Sequence, residues 1–152
     1  MIKKTFLVLF VLTLMGSVSM GAESKWLTDY NVALQQAKKG NKLLLIDFAG
    51  STWCPACMQL EKEVFQTPTF KDYASKNLVL LKVDFPQPYT QLEDLTPTNA
   101  KLVTQYNIQA FPTQLILDGN GTLQDQFVGY SGESPKDYLK KIEEIKTHST
   151  KH

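Results

Sequence analysis

The segment that decides the fold is residues 42–57, which read KLLLIDFAGSTWCPAC. Residues 43–46 form an unbroken apolar run, which is typical of a strand buried on both faces of a parallel sheet. The residues after this run read as a turn. A helix is predicted to begin at Cys54, because Pro55 suits the first turn of a helix, where its missing N–H costs nothing. Cys54 and Cys57 are therefore predicted to lie where a buried strand meets a helix N-terminus.

The rest of the chain predicts a regular alternation of helices and strands around this segment. Helices are predicted over 29–39, from Cys54 onward, over 70–75, 98–106 and 134–146, and strands over 42–48, 77–85, 113–118 and 122–130. The order α-β-α-β-α-β-β-α, without an internal repeat, predicts one α/β domain in which helices flank a central mixed sheet.

Residues 1–22 have the pattern of a secretory signal peptide. Lys3 and Lys4 precede the apolar run 6–15, and small residues dominate positions 16–22. The apolar run is about ten residues, whereas a membrane-spanning helix needs roughly 20. We therefore expect export and removal of this segment, with an uncleaved membrane anchor as the alternative.

After removal of this segment, the predicted organisation is a domain over 23–146 followed by a polar tail over 147–152. The formal net charge of the whole chain is +1, and all 16 basic residues are Lys. A nearly neutral domain without Arg argues against nucleic acid as a partner. His148 and His152 both lie in the predicted tail, so a catalytic His within the body of the domain is excluded.

Cys54 and Cys57, the two cysteines of the chain, have the spacing of a redox-active pair. The partial positive charge and unpaired N–H groups of a helix N-terminus favour a thiolate, which is the nucleophile in disulfide exchange. We assign the attack on a substrate disulfide to Cys54, which is expected at the exposed end of the helix. Cys57, one turn inside, is assigned the second attack, which resolves the mixed disulfide.

Other uses of a Cys pair are weaker alternatives. A purely structural disulfide is plausible in an exported protein, but a bridge between residues three apart closes a very small loop and adds little stability. A structural zinc site needs four ligands, and only two cysteines exist. A c-type haem site needs His directly after the second Cys, where this chain has Met58. No metal or other cofactor is expected.

Two further side chains near the pair are candidate functional residues. Asp47 lies within the buried strand, where a poorly solvated carboxylate could accept a proton from Cys57. Asp47 could instead have a structural role at the strand end. Trp53, directly before Cys54, could form a platform for substrate or serve only in packing.

The combination of these motifs resembles the thioredoxin superfamily. The resemblance rests on the strand followed by residues 53–57, Trp-Cys-Pro-Ala-Cys, and on residues 111–113, Phe-Pro-Thr, before a predicted hairpin. It extends over about residues 27–146. The resemblance implies a thioredoxin fold in which Pro112 is cis and faces the two cysteines. It also implies that Phe111 offers main-chain hydrogen bonds to an extended substrate.

Three stretches, residues 47–54, 60–65 and 82–86, narrow the resemblance to exported bacterial thioredoxin-like disulfide reductases. These include the DsbH group and, more distantly, the C-terminal domain of the electron transporter DsbD. The resemblance implies a periplasmic, monomeric thiol–disulfide oxidoreductase that acts on protein or peptide disulfides. It further implies a membrane electron donor of the DsbD type.

The direction of electron flow is predicted from the residues between the cysteines. The strong oxidants of this superfamily carry a His there, whereas Pro55 and Ala56 offer neither charge nor a side-chain hydrogen-bond donor. We therefore expect a protein-disulfide reductase. The alternatives are an oxidase that uses the same cysteines, and a non-catalytic module that binds client proteins beside Pro112.

Overall fold

A computed structural model describes residues 25–88 and 90–149, so the predicted signal peptide lies outside the described residues. Five strands form one sheet. They are β1, Trp26–Leu27; β2, Leu43–Ala49; β3, Leu78–Asp84; β4, Thr113–Leu117; and β5, Leu123–Val128.

The sheet is mixed, with the strand order β1-β3-β2-β4-β5. Strands β1, β3 and β2 are parallel, and β4 and β5 are antiparallel to their neighbours. Every residue of the central strand β2 is buried, as its unbroken apolar pattern predicts. The predicted fold class, a mixed sheet flanked by helices in one domain, is confirmed.

Helices cover both faces of this sheet. They are α1, Tyr30–Gly40; α2, Pro55–Leu60; α3, Pro68–Asn77; α4, Pro97–Gln105; and α5, Pro135–Ser149. A π-helical turn, Glu61–Phe65, continues α2, and a 3₁₀ turn, Leu92–Asp94, lies in the loop before α4. Among the described residues, none of the helices combines the length and apolar character needed to cross a membrane.

The core has two halves because side chains alternate between the faces of a strand. Leu43 and Leu45 pack on one face with residues of α3 and α5. Leu44 and Ile46 pack on the other face with residues of α1 and α4. Alternation along β2 turns Asp47 to the same face as Leu43 and Leu45, which is the face that the π-helical turn covers.

Several predicted boundaries are wrong. The strand β1 was not expected, because two residues that pair with Leu80 and Leu81 are too few to show a periodic pattern. Helix α3 begins at Pro68 rather than residue 70, because Thr67 caps it and Pro is tolerated in a first turn. Helix α5 continues past Lys146 to Ser149, so the first part of the predicted tail is helical.

Candidate active site

A tight turn delivers the two cysteines from the end of β2 to the start of α2. The N–H groups of Trp53 and Cys54 donate to the carbonyl of Gly50, at 3.3 and 3.0 Å. Gly50 is required because a Cβ at this position would collide with the indole of Trp53. Cys54 caps α2, and Pro55 is its first residue, as the sequence predicts. The strand, turn and helix therefore fix the cysteine pair to the rigid sheet.

Cys54 and Cys57 form a disulfide, so the structure represents the oxidised state. Their Cα atoms lie 5.3 Å apart, and the N–H of Cys57 donates to Sγ of Cys54 at 3.2 Å. Cys54 is 5% and Cys57 4% exposed. The expectation that Cys54 is the exposed member is therefore wrong for the oxidised state, in which both cysteines pack in one buried cluster with Ala49. The assignment of roles now depends on their positions along α2 and stays a prediction.

Three consecutive residues of the turn are hydrogen-bonded to three consecutive residues at the end of β3. The contacts are Ser51 N and Oγ to the carboxylate of Asp84 at 2.9 and 2.8 Å, Thr52 Oγ1 to the carbonyl of Pro86 at 2.6 Å, and Trp53 Nε1 to the carbonyl of Phe85 at 2.7 Å. These bonds leave the turn little freedom to move relative to the sheet.

Aromatic rings connect this turn to the segment before β4. The rings of Trp53 and Phe111 meet edge to face at 5.9 Å, and those of Phe85 and Phe111 lie 4.7 Å apart. Phe111 and Trp53 also pack against the cysteine pair. The Phe111–Pro112 bond is cis, as the resemblance implies. Trp53 therefore has a packing role, and its use as a substrate platform stays a prediction.

Asp47 is a buried carboxylate with two hydrogen-bond donors. Its side chain accepts from Lys82 Nζ at 2.7 Å and from Gln114 Nε2 at 2.9 Å, and the residue is 1% exposed. Burial raises the pKa of Asp47, and this effect outweighs the opposing charge and hydrogen bonds of Lys82 and Gln114. The negative charge of Glu61 raises the pKa of Asp47 further. Asp47 therefore binds a proton more readily than an ordinary Asp.

Lys82 bridges this buried carboxylate and a more exposed one. Its ammonium lies 2.7 Å from Asp47 and 2.9 Å from Glu61. Burial lowers the pKa of Lys82, but the two carboxylates more than compensate and raise it above its ordinary value. Lys82 and Glu61 line a groove of about 480 Å³ together with Cys57. The ion-paired network and the inner cysteine therefore share one opening to solvent.

Lys82, Glu61 and Gln114 were not singled out from the sequence. A signal existed for Lys82, because it is a charged residue within the apolar strand 77–85 and pairs with Asp47 in parallel register. The opposite charges of Asp47 and Lys82, one in each of two buried strands, could have been used to predict an ion pair between them. Glu61 had no such signal, since it lies on a helical segment whose packing against β3 is not visible in the sequence. Within residues 25–88 and 90–149, no three His, Cys, Asp or Glu side chains form a group that could hold a metal ion.

Comparisons with known proteins agree with this geometry. Residues 30–146 match the family described as thioredoxin-like domain. The disulfide bond reductase DsbH of Chlamydia pneumoniae is 33% identical over 100 residues, which are 66% of this chain and 60% of that protein.

Solved structures show the same relationship. A DsbH oxidoreductase superposes with a TM-score of 0.71 at 29% identity, covering 82% of this chain and 85% of that one. The oxidised C-terminal domain of Neisseria meningitidis DsbD shares the fold, with a TM-score of 0.58 at 16% identity, covering 80% of this chain and 99% of that one. The chain therefore belongs to the thioredoxin-like domain family, and its Cys54–Cys57 disulfide lies at the N-terminus of α2.

Proposed function

We propose that this protein is an exported thiol–disulfide oxidoreductase that reduces disulfides in other proteins. The observation that carries the proposal is the Cys54–Cys57 disulfide at the N-terminus of α2, held by a turn that is bonded to β3. A small-loop bridge of this kind adds little stability, so a redox role explains it better than a structural one. The similarity to a protein named as a disulfide bond reductase supports the same direction.

The reaction proceeds in two exchanges. In the reduced protein, the thiolate of Cys54 attacks one sulfur of a client disulfide. That S–S bond breaks, a mixed disulfide forms and the other client sulfur leaves as a thiolate, which takes up a proton. Cys57 then loses its proton and attacks Sγ of Cys54, so the Cys54–Cys57 disulfide forms and the second client thiol leaves. Two electrons have passed to the client.

The second exchange requires a base for the Cys57 proton, and Asp47 fills this role in our proposal. A carboxylate with a raised pKa is a suitable acceptor near neutral pH. Lys82 links Asp47 to the groove that Cys57 lines. The network therefore offers a route by which the proton exchanges with solvent between turnovers.

Client binding is proposed for the surface to which Trp53 and Phe111 contribute, directly beside the buried Pro112. Phe111 and Trp53 pack directly against the cysteine pair. The carbonyl of Pro112 accepts from the N–H of Gly129 at 2.8 Å, which fixes this segment to the end of β5. A rigid surface beside the disulfide suits an extended client segment whose own disulfide must reach Cys54.

The reducing direction follows from the limited stabilisation that a Cys54 thiolate receives. A strong oxidant stabilises its reduced form heavily. Here the residues between the cysteines are uncharged, and Lys82, which lines the groove, is already paired with Asp47 and Glu61. The N-terminus of α2 is then the main source of stabilisation. Each turnover leaves the protein oxidised, so it needs an electron donor. We propose a membrane electron donor of the DsbD type that reduces this protein in the periplasm.

The activity is tested by adding the reduced protein to insulin and following the loss of insulin disulfides. A small-molecule thiol, supplied in an amount stoichiometric with the insulin disulfides, regenerates the reduced protein. We expect catalysed reduction, and loss of catalysis in Cys54→Ser. In the reverse assay, the oxidised protein should oxidise a reduced client poorly. Efficient dithiol oxidation together with no insulin reduction would contradict the proposed direction.

A further inference from the structure

The ammonium group of Lys82 is enclosed by aromatic rings as well as carboxylates. Its Nζ lies 4.4 Å from the ring centroid of Trp26 and 5.5 Å from that of Phe65. Cations within about 6 Å of an aromatic face are attracted by its electron density, and Trp provides the strongest such site. The Lys82 ammonium therefore contacts two carboxylates and an indole ring at the same time.

Trp26 reaches this position through β1, the two-residue strand at the edge of the sheet. Trp26 pairs with Leu80 in parallel register, and Lys82 follows two residues later on the same face of β3. The indole also packs on Phe65, with ring centroids 5.1 Å apart. The strand β1 therefore fixes the indole beside the Lys82 side chain.

We propose that Trp26 is a positioning residue that holds the Lys82 ammonium against the carboxylate of Asp47. This inference rests on the proposed role of Asp47 in taking up the Cys57 proton. It adds a residue outside the cysteine motif, from the first strand of the domain, to the machinery of the second exchange.

Lys82 needs a positioning residue because its two carboxylate partners, Asp47 and Glu61, compete for it and differ in their exposure to solvent. The side chain of Asp47 is 2% exposed and that of Glu61 is 33% exposed. An ammonium on a flexible stem is strongly hydrated and moves toward water when its packing is removed. Without the indole, we expect Lys82 to shift toward Glu61 and the groove, which leaves Asp47 with a weaker positive partner.

The other groups that face this carboxylate set the sign of the expected change. Glu61 repels the ionised form of Asp47, and the ionised form in turn raises the pKa of Tyr138 on α5. Gln114 is uncharged, so Lys82 is the one cation among the groups that act on Asp47 in the described part of the chain. A weaker contact with Lys82 therefore raises the pKa of Asp47.

The test is a pH titration of the Asp47 carboxyl carbon by ¹³C NMR in the mature protein, with Asp47→Asn to assign the signal. Trp26→Leu should raise the titration midpoint by about half a pH unit. Trp26→Phe keeps an aromatic face and should restore most of the wild-type value. An unchanged or lower midpoint in a folded Trp26→Leu protein would contradict the proposal.

A second measurement needs no variant, in case Trp26→Leu does not fold. The indole face should shift the NMR signals of the Lys82 ε protons upfield of those of the other lysines. Ordinary Lys82 shifts would overturn the proposed contact. The catalytic role of Asp47 is judged separately: if Asp47→Asn leaves the pH dependence of turnover unchanged, that role fails, whereas the titration still decides the role of Trp26.

Discussion

Cys57→Ser should accumulate client proteins in covalent mixed disulfides, whereas Cys54→Ser should accumulate few or none. The thiolate that attacks the client survives in the first variant, but the thiol that resolves the mixed disulfide is missing. In Cys54→Ser the attack itself is lost. The complexes are measured on non-reducing gels after acid quenching and alkylation, and their partners are identified by mass spectrometry.

The double variant, with Ser at both positions, is the control for non-covalent association. The mixed-disulfide bands depend on Cys54, so they should be absent from the double variant. They should also disappear from the Cys57→Ser sample when a reductant is added. Because Cys54 and Cys57 are buried to nearly the same extent in the oxidised state, exposure alone does not decide their roles. Stronger trapping by Cys54→Ser than by Cys57→Ser would reverse our assignment.

Replacing Lys82 by Met should lower the free energy of unfolding by about 3 kcal/mol at pH 7. The change leaves the carboxylate of Asp47 buried with Gln114 as its remaining donor, and an unpaired buried charge is costly. Glu61 also loses a partner, but its partial exposure makes that loss small. Urea denaturation of the oxidised protein at constant temperature measures the difference.

The loss of stability in Lys82→Met should also depend on pH, in a direction that the pKa of Asp47 determines. The pKa of Asp47 is raised in the folded protein, so ionisation destabilises the fold. This effect is absent well below about pH 4, where Asp47 is protonated in both the folded and the unfolded protein. It develops as pH rises above the unfolded pKa and is complete above the raised folded pKa. The deficit of Lys82→Met should therefore shrink as pH falls from 7 toward 4.

A matched control is Lys76→Met, which removes an exposed ion pair with Asp72 at 3.1 Å. Exposed pairs contribute at most about 1 kcal/mol and often nothing measurable. If Lys82→Met lowers the free energy of unfolding no more than Lys76→Met does, or by an amount that stays constant with pH, the buried ion pair is contradicted.

The sequence predicts the framework of the site because that framework is local. The apolar run 43–46, the turn and Pro55 specify a strand, a reversal and a helix within 16 residues, and the structure has all three. The helix cap places Cys54 at the N-terminus of α2 by the same local rules. The position of Cys54 within this strand–turn–helix unit can therefore be predicted without knowing how the rest of the chain folds.

The electrostatics of the site could not be predicted in the same way, because they depend on contacts between distant segments. Lys82 is 35 residues from Asp47 and 21 from Glu61, and its contact with the indole of Trp26 requires a strand of two residues. The burial of Cys54 depends on packing against Ala49 and Phe111, and Phe111 is 57 residues away along the chain. Such features emerge only when the register between strands and the path of the π-helical turn are known.

The measurement that tests the central claim most directly is the reduction potential of the Cys54–Cys57 pair, determined by equilibration with glutathione. A reductase whose thiolate depends mainly on a helix N-terminus should have a potential near that of thioredoxin, about −270 mV. We predict a value closer to this than to the roughly −120 mV of the strong oxidant DsbA. A potential above about −150 mV would contradict the account and identify the protein as an oxidase.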